Sequence, residues 1–81
     1  MTDPRAEIDA ERTRQELKWG EQNHSPDRWL VILGEEFGEC CKDSFEGRYS
    51  LLRTELIHVA AVAIAVIESL DRNELAEDPH P

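Results

Sequence analysis

The chain has 81 residues, the length of one small domain, and its formal net charge at pH 7 is −9. This acidity argues against direct binding to a nucleic-acid polymer or to an anionic membrane surface, because both repel a negatively charged protein. A core of this size is only marginally stable, so we expect a metal ion or a partner chain to contribute to stability.

The first predicted element is a strongly charged helix that begins at residue 4 and ends at residue 18 or 19. Asp3 followed by Pro4 is typical of a helix start, because aspartate caps the first turn and proline is tolerated at the first helical position. Gly20 is expected to end the helix. Since its apolar residues are few, we expect this helix to lie outside the core and to present a mixed face.

The second predicted helix spans residues 26–45. Ser25 and Pro26 repeat the cap-plus-proline start, and Gly47 follows the expected end. At about 100° per residue, Glu36 falls inside the apolar arc of this helix. A helix that only needed to be soluble would not place a carboxylate there. The apolar face itself consists of Trp29, Leu33, Phe37 and Cys40.

The third predicted helix begins near residue 50 and runs to about residue 70. Every residue from 59 to 67 is apolar. A helix that is apolar all round is buried on all sides, yet two other helices of one short chain cannot surround it. We therefore expect an all-α fold in which small three-helix subunits associate through this helix into a homodimer or homotetramer. Residues 1–72 form the helical domain, and residues 73–81 are expected to be a flexible acidic tail.

Carboxylates and an imidazole recur at one-turn spacing on the second and third helices. Glu36 and Glu39 are three residues apart, as are Glu55 and His58. Two antiparallel helices packed roughly 8–10 Å apart could aim all four groups at one Mg²⁺ or Mn²⁺ ion. The ordinary alternative is a solvated acidic face, with Glu55 favoured by the helix dipole and His58 placed in a core or an interface.

These residues resemble a motif of a known enzyme family. The Glu-Glu-x-x-Glu pattern of residues 35–39 and the Glu-Leu-Ile of residues 55–57 are similar to the MazG-like all-α nucleoside triphosphate pyrophosphohydrolases. That superfamily includes the dimeric dUTPases and the dCTP pyrophosphatases. The resemblance covers about residues 12–70, and it includes residues 14–15, 18–20 and 23–26.

The resemblance implies metal-dependent hydrolysis of nucleoside triphosphates to monophosphate and pyrophosphate, with Mg²⁺ as cofactor and Mn²⁺ as a possible substitute. It implies that Glu36, Glu39 and Glu55 bind the metal, and that Glu35 binds a second ion or orients the attacking water. His58 stands where the family has aspartate. Since imidazole is neutral and softer, we expect weaker Mg²⁺ binding and a drift toward Mn²⁺ or Zn²⁺.

Substrate contacts are expected from the first helix and the loop after it. Lys18 is expected to meet a phosphate, and Trp19 to stack on the base. Gln15 or Asn23 is expected to hydrogen-bond the edge of the base. Two other functions stay open at this point. One is a catalytically inactive module that binds nucleotides or a protein, and the other is a plain oligomerisation domain.

The sequence also predicts a cytoplasmic protein with no signal peptide. The N-terminus lacks a basic segment followed by an apolar one, and no unbroken apolar run reaches the roughly 20 residues of a membrane span. Cys40 and Cys41 are adjacent, so a disulfide between them would be strained. We expect two reduced thiols, with at least one packed as a small apolar side chain.

Overall fold

The computed structural model describes residues 3–74, and this part of the chain is all helical. Helix α1 spans Pro4–Trp19, α2 spans Pro26–Phe45 and α3 spans Tyr49–Asn73. The predicted bounds of α1 and α2 are confirmed. Helix α3 begins slightly earlier than predicted and reaches Asn73, which is farther than expected.

Local capping explains why α1 and α2 begin where they do. The Asp3 side chain accepts a hydrogen bond from the backbone N–H of Arg5 at 3.1 Å. Ser25 Oγ accepts from the backbone N–H of Arg28 at 3.2 Å. Each cap satisfies an N–H group that has no partner inside its helix, and Pro4 and Pro26 follow with a backbone already set for the first turn.

Glycine ends α1 because the chain takes a backbone conformation that other residues avoid. Gly20 has φ 73° and ψ −169°, a region occupied almost only by glycine. Its N–H still donates to the carbonyl of Glu16 at 2.8 Å. The chain can therefore leave the helix axis directly after Trp19 without losing the last helical hydrogen bond.

Helix α3 is the centre of the fold, because it packs against both α1 and α2. Trp29, near the start of α2, is only 2% exposed and packs against Val62, Ala65 and Val66 in the second half of α3. Ile32 and Leu33 complete this core. The position of Trp29 shows that α2 and α3 run antiparallel, as the predicted convergence of their acidic groups requires.

Helix α1 is attached to α3 largely by charged side chains. Arg12 Nε donates to Glu68 Oε1 at 2.7 Å, and Arg53 binds Glu7 through both of its terminal nitrogens at 2.9 and 2.5 Å. Exposed ion pairs of this kind stabilise by about 0–1 kcal/mol each. Gln15 is the buried residue of α1. The small number of apolar residues in the sequence of α1 therefore agrees with the polar surface through which α1 contacts α3.

The C-terminal end of α3 is tied to the loop between α1 and α2. Arg72 donates to the carbonyl oxygen of Gln22 at 2.9 Å and to Asn23 Oδ1 at 3.1 Å. Asn73 also donates to Asn23 Oδ1, at 2.9 Å. These contacts explain why α3 extends beyond residue 70. Most of the predicted tail, residues 75–81, lies outside the described residues.

The two other helices of the chain do not surround the apolar run of α3, as expected from the sequence for a single subunit. Ala61 is fully buried, but Ile67 is 57% exposed. One side of α3 packs against α1 and α2, and large apolar residues remain exposed on the others. With 25 residues and a mean hydropathy of 1.8 in its most apolar 18-residue window, α3 is long and apolar enough to cross a membrane. By length and composition alone, α3 therefore differs from the expectation that no segment of the chain reaches the apolar length of a membrane span.

Candidate metal site

Three side chains from two helices converge beside α1. Glu36 comes from α2, and Glu55 and His58 come from successive turns of α3. One ligand atom of each lies within 4.8 Å of the others, and all three residues are half-buried. These residues are called the metal cluster below. Their convergence follows from the antiparallel packing of α2 and α3.

The environment of Glu36 disfavours its negative charge. Burial raises the pKa of the Glu36 carboxyl, and the charge of Glu55 raises it further. Glu39 and Glu35 act in the same direction, whereas His58 opposes them. A divalent cation at this point would relieve the repulsion between carboxylates, so the electrostatics favour a positively charged ligand.

His58 lies between two carboxylates from different helices. Its Nδ1 is 3.6 Å from Glu55 Oε2, and its Nε2 is 3.9 Å from Glu11 Oε1 on α1. The Glu11 carboxylate is itself held by Arg14, whose Nε and terminal nitrogen donate to it at 2.8 and 2.6 Å. These hydrogen bonds lower the pKa of Glu11. Gln15 Nε2 also donates to Glu11, at 3.2 Å.

Glu11 was missed by the sequence analysis. Its spacing of four residues from Gln15 does predict that the two side chains share a face of α1. Nothing in the sequence, however, indicates that this face meets His58, because the contact depends on how α1 docks on α3. The electrostatic surroundings of the metal cluster thus involve all three helices.

The donor atoms of the metal cluster fit a divalent cation. Two carboxylates and one imidazole suit Mn²⁺ or Zn²⁺ better than Mg²⁺, which prefers oxygen donors. Glu39 is exposed and is not part of the group of converging ligand atoms in residues 3–74. Glu35 is exposed as well. The geometry therefore brings together three of the four predicted metal ligands and leaves Glu39 and Glu35 at the edge.

A groove of about 230 Å³ runs between α1 and α2, with α3 as its floor. The metal cluster contributes Glu36 and His58 to its wall. Gln15 and Trp19, two of the predicted substrate-binding residues, line the same groove. Arg12 and Arg14 add positive charge to it, a feature that the sequence analysis did not single out. The groove thus combines carboxylates, an imidazole, guanidinium groups and an aromatic surface.

Lys18 and Asn23, the other predicted substrate-binding residues, do not line this groove. The Lys18 ammonium lies 4.7 Å from the centroid of the Trp19 ring, in a cation–π contact. Asn23 is engaged by Arg72 and Asn73 through its side-chain oxygen. The structure therefore places Lys18 next to a groove residue and uses Asn23 to hold the end of α3.

Two buried ring nitrogens near the groove have no hydrogen-bond partner among the described residues. They are Trp29 Nε1 and His24 Nε2. The two rings meet edge to face, with centroids 4.7 Å apart. An unpaired buried donor or acceptor costs about 1–3 kcal/mol. Trp29 lies on the apolar face predicted for α2 and is a core residue in the structure. It also lines the groove.

Comparisons of the chain with models of known protein families, with curated proteins and with solved structures found no match. The resemblance to MazG-like pyrophosphohydrolases therefore depends on the residues named above and stays a prediction.

Proposed function

We propose that this protein is a metal-dependent hydrolase that converts nucleoside triphosphates to monophosphate and pyrophosphate, in the manner of the MazG-like enzymes. The observation that carries the proposal is the convergence of Glu36, Glu55 and His58 on a groove that also contains Gln15 and Trp19. An acidic cluster facing a groove with aromatic and amide groups suits a ligand that has both phosphates and a base.

In this proposal the metal cluster holds a divalent cation, which supplies charge neutralisation and an activated water. Glu36, Glu55 and His58 provide the three donors, and Glu39 adds a fourth by a change of rotamer. Glu35 orients the water that attacks the phosphate. The exposed positions of Glu35 and Glu39 leave both carboxylates free to turn toward a bound substrate.

Substrate binding is assigned to α1 and the residues after it. Trp19 is 52% exposed, so one face of its ring is accessible for stacking on a base. Gln15 is buried on the groove wall and offers its amide to the base edge. Lys18, beside Trp19, meets the phosphates as a point charge. Asn23 can contact the base only if its side chain releases Arg72 and Asn73. Its proposed role in substrate binding therefore requires the loop between α1 and α2 to open.

Self-association through α3 is part of the proposal. Exposed apolar residues recur at helical spacing on one face of α3 and on one face of α2, and a second subunit that covers them would complete the burial expected from the sequence. A homodimer or a homotetramer satisfies this requirement. The exposed residues are Leu56, Ile67 and Leu70 on α3, and Leu30 and Phe37 on α2.

The decisive experiment is a screen of nucleoside triphosphates with Mg²⁺, Mn²⁺ or Zn²⁺, in which pyrophosphate release is measured. We expect turnover of at least one triphosphate, with Mn²⁺ more effective than Mg²⁺ because of His58. Glu36→Gln should reduce turnover at least 100-fold. Asp9→Asn, a charge-removing change at an exposed position of α1 that does not line the groove, should leave it unchanged. Equal activity of the two variants would show that Glu36 does not take part in turnover.

A second candidate function is nucleotide binding without cleavage, favoured by the imidazole at position 58. Thermal melting, read together with pyrophosphate release, distinguishes binding alone from binding with cleavage. A ligand that prefers the folded state raises the melting temperature whether or not it is cleaved. Stabilisation by Mn²⁺ with nucleotide, but no pyrophosphate release, would identify a binding module. A melting temperature unchanged by metal and nucleotide would contradict both functions.

A further inference from the structure

We propose that Arg72, at the end of α3, is a positioning residue that holds the loop between α1 and α2 in the place where it lines the groove. This role rests on the proposed function, in which the groove binds a nucleoside triphosphate. Gly20 and Gln22, which follow α1, line the groove together with Trp19. In this arrangement Asn23 fixes the loop instead of contacting the base.

The loop has little backbone hydrogen bonding to fix its position. Gly20, at its start, still donates its N–H to a carbonyl of α1. Within the described part of the chain, residues 3–74, the N–H groups of residues 21–24 donate to no backbone carbonyl. A segment with exposed backbone and few contacts opens easily unless side chains hold it. The side chains that bind this loop therefore decide where it lies.

Arg72 binds three consecutive loop residues with one guanidinium group. It donates to the carbonyl oxygen of Gln22 at 2.9 Å and to Asn23 Oδ1 at 3.2 and 3.1 Å. Its Nε also lies 3.3 Å from Glu21 Oε1. A guanidinium is planar and directs its donors at fixed angles, so the acceptors that share it keep a fixed mutual arrangement. Arg72 is not one of the described residues that line the groove, so it acts on the groove through the loop.

Asn73 connects the same loop to the buried part of α3. Its Nδ2 donates to Asn23 Oδ1 at 2.9 Å and to the carbonyl oxygen of Ser69 at 2.7 Å. Ser69 is only 1% exposed. Asn23 in turn donates to Glu21 Oε2 at 3.0 Å, within the loop. Asn23 Oδ1 is thus the acceptor that Arg72 and Asn73 share, and the loop is held by a helix whose position is set by the core.

Releasing the loop has opposite consequences for the two roles of Asn23. If the loop lines the groove as it stands, a freed Gln22 must be ordered again when a nucleotide binds, which lowers the affinity. If Asn23 contacts the base, freeing it removes a competing interaction and raises the affinity. The structure favours the first role, because Asn23 Oδ1 already accepts from Arg72 and Asn73.

The order of the loop can be measured by ¹⁵N NMR relaxation on the full-length protein. Amide order parameters are about 0.85 in a rigid backbone and below about 0.6 in a flexible one. Residues 21–23 should be rigid in the wild type and flexible in Arg72→Ala. Arg72→Lys, which keeps the charge and part of the hydrogen bonding, should give intermediate values. Arg5→Ala, a matched truncation at an exposed position of α1, should leave the loop unchanged. Equal order parameters for residues 21–23 in wild type and Arg72→Ala would overturn the proposal.

A second measurement connects the loop to the groove. Calorimetric titration uses Mn²⁺ alone and then, at saturating Mn²⁺, the α,β-methylene analogues of ATP, GTP, CTP and UTP, which cannot be hydrolysed between the α- and β-phosphates. Arg72→Ala should lower the affinity for the tightest-binding analogue about tenfold, which is about 1.4 kcal/mol. It should leave the Mn²⁺ affinity unchanged, because the metal cluster makes none of the hydrogen bonds that hold the loop. Arg5→Ala should change neither affinity.

Three results would decide against the positioning role or against the site itself. An unchanged or higher analogue affinity in Arg72→Ala would overturn the proposal, and a higher one would support contact of Asn23 with the base. An equal loss of Mn²⁺ affinity would also overturn it, because the variant would then act on the whole fold. A wild type that binds no analogue would contradict the proposed function instead, and the order parameters would still decide whether Arg72 fixes the loop.

Discussion

Glu36 is held in surroundings that disfavour its own negative charge. Burial raises the pKa of its carboxyl, and the neighbouring Glu55 raises it further. A raised pKa in the folded state means that the ionised carboxylate is less favourable there than in the unfolded chain. The residue most central to the proposed metal site therefore destabilises the metal-free fold.

The first prediction follows because the charge of Glu36 destabilises the metal-free fold but is needed to bind the proposed ion. In chelator at pH 7.5, Glu36→Gln should melt at a higher temperature than wild type, because glutamine fills the same space without a charge. With saturating Mn²⁺ the order should reverse, because only wild type gains from the ion. Differential scanning calorimetry measures both values, with Asp9→Asn at an exposed position of α1 as the control. A lower melting temperature for Glu36→Gln in chelator would contradict the electrostatic argument.

The second prediction concerns metal preference. His58→Asp replaces the imidazole with an oxygen donor, which Mg²⁺ prefers. The ratio of Mg²⁺ to Mn²⁺ affinity, measured by calorimetric titration, should rise about tenfold, a change of about 1.4 kcal/mol. His58→Ala serves as the control, since it removes the donor without supplying another. If the ratio is the same in wild type and His58→Asp, His58 does not bind the ion.

At the level of helices, local chemistry made α1 and α2 predictable. Asp3 and Ser25 cap their first turns, and Gly20 supplies a conformation that ends α1, so each signal acts within a few residues. The end of α3 depends instead on Asn73 binding the loop between α1 and α2, a contact across 50 residues. The periodicity of apolar residues along a sequence cannot predict such a contact.

The candidate site was partly predictable for the same reason. One-turn spacing put Glu55 and His58 on the same face of α3, and the apolar arc of α2 singled out Glu36. Glu11 was not predictable, because its approach to His58 depends on the docking of a polar helix through ion pairs. Asn23 was named for its position before α2, and the structure shows its side chain bound to Arg72.

The third prediction contrasts two glycines that have open space around them. Gly20 has φ 73° and ψ −169°, so Gly20→Ala should lower the free energy of unfolding by about 1–3 kcal/mol through backbone strain alone. Gly38 lies inside α2 and is exposed, so Gly38→Ala should raise it by about 0.5–1 kcal/mol. Urea denaturation measures both changes. A free energy of unfolding that Gly20→Ala leaves unchanged or raises would show that the end of α1 does not depend on the glycine conformation.

For the whole molecule, the distribution of apolar side chains is uneven. The described core is small and consists mainly of Trp29 and three residues of α3, while many large apolar residues are exposed. Apolar area contributes about 25 cal/mol per Å² when it is removed from water. A second subunit that covered α3 would therefore add stability that one chain of 81 residues lacks. The ion pairs of α3 with α1, through Arg53 and Glu68, favour this role for α3 over membrane insertion.

The last prediction separates the interface from the core of the subunit. Ile67 is 57% exposed, so Ile67→Glu should leave the helical circular dichroism signal intact and convert the assembly to monomers in analytical ultracentrifugation. Ala61 is fully buried within the subunit, so Ala61→Glu should instead unfold the chain, because an unpaired buried carboxylate costs several kcal/mol. Leu17→Glu, at an exposed position of α1, controls for an added surface charge and should change neither measurement. An Ile67→Glu protein with wild-type sedimentation would place the interface elsewhere. A wild type that sediments as a monomer would contradict the proposed self-association.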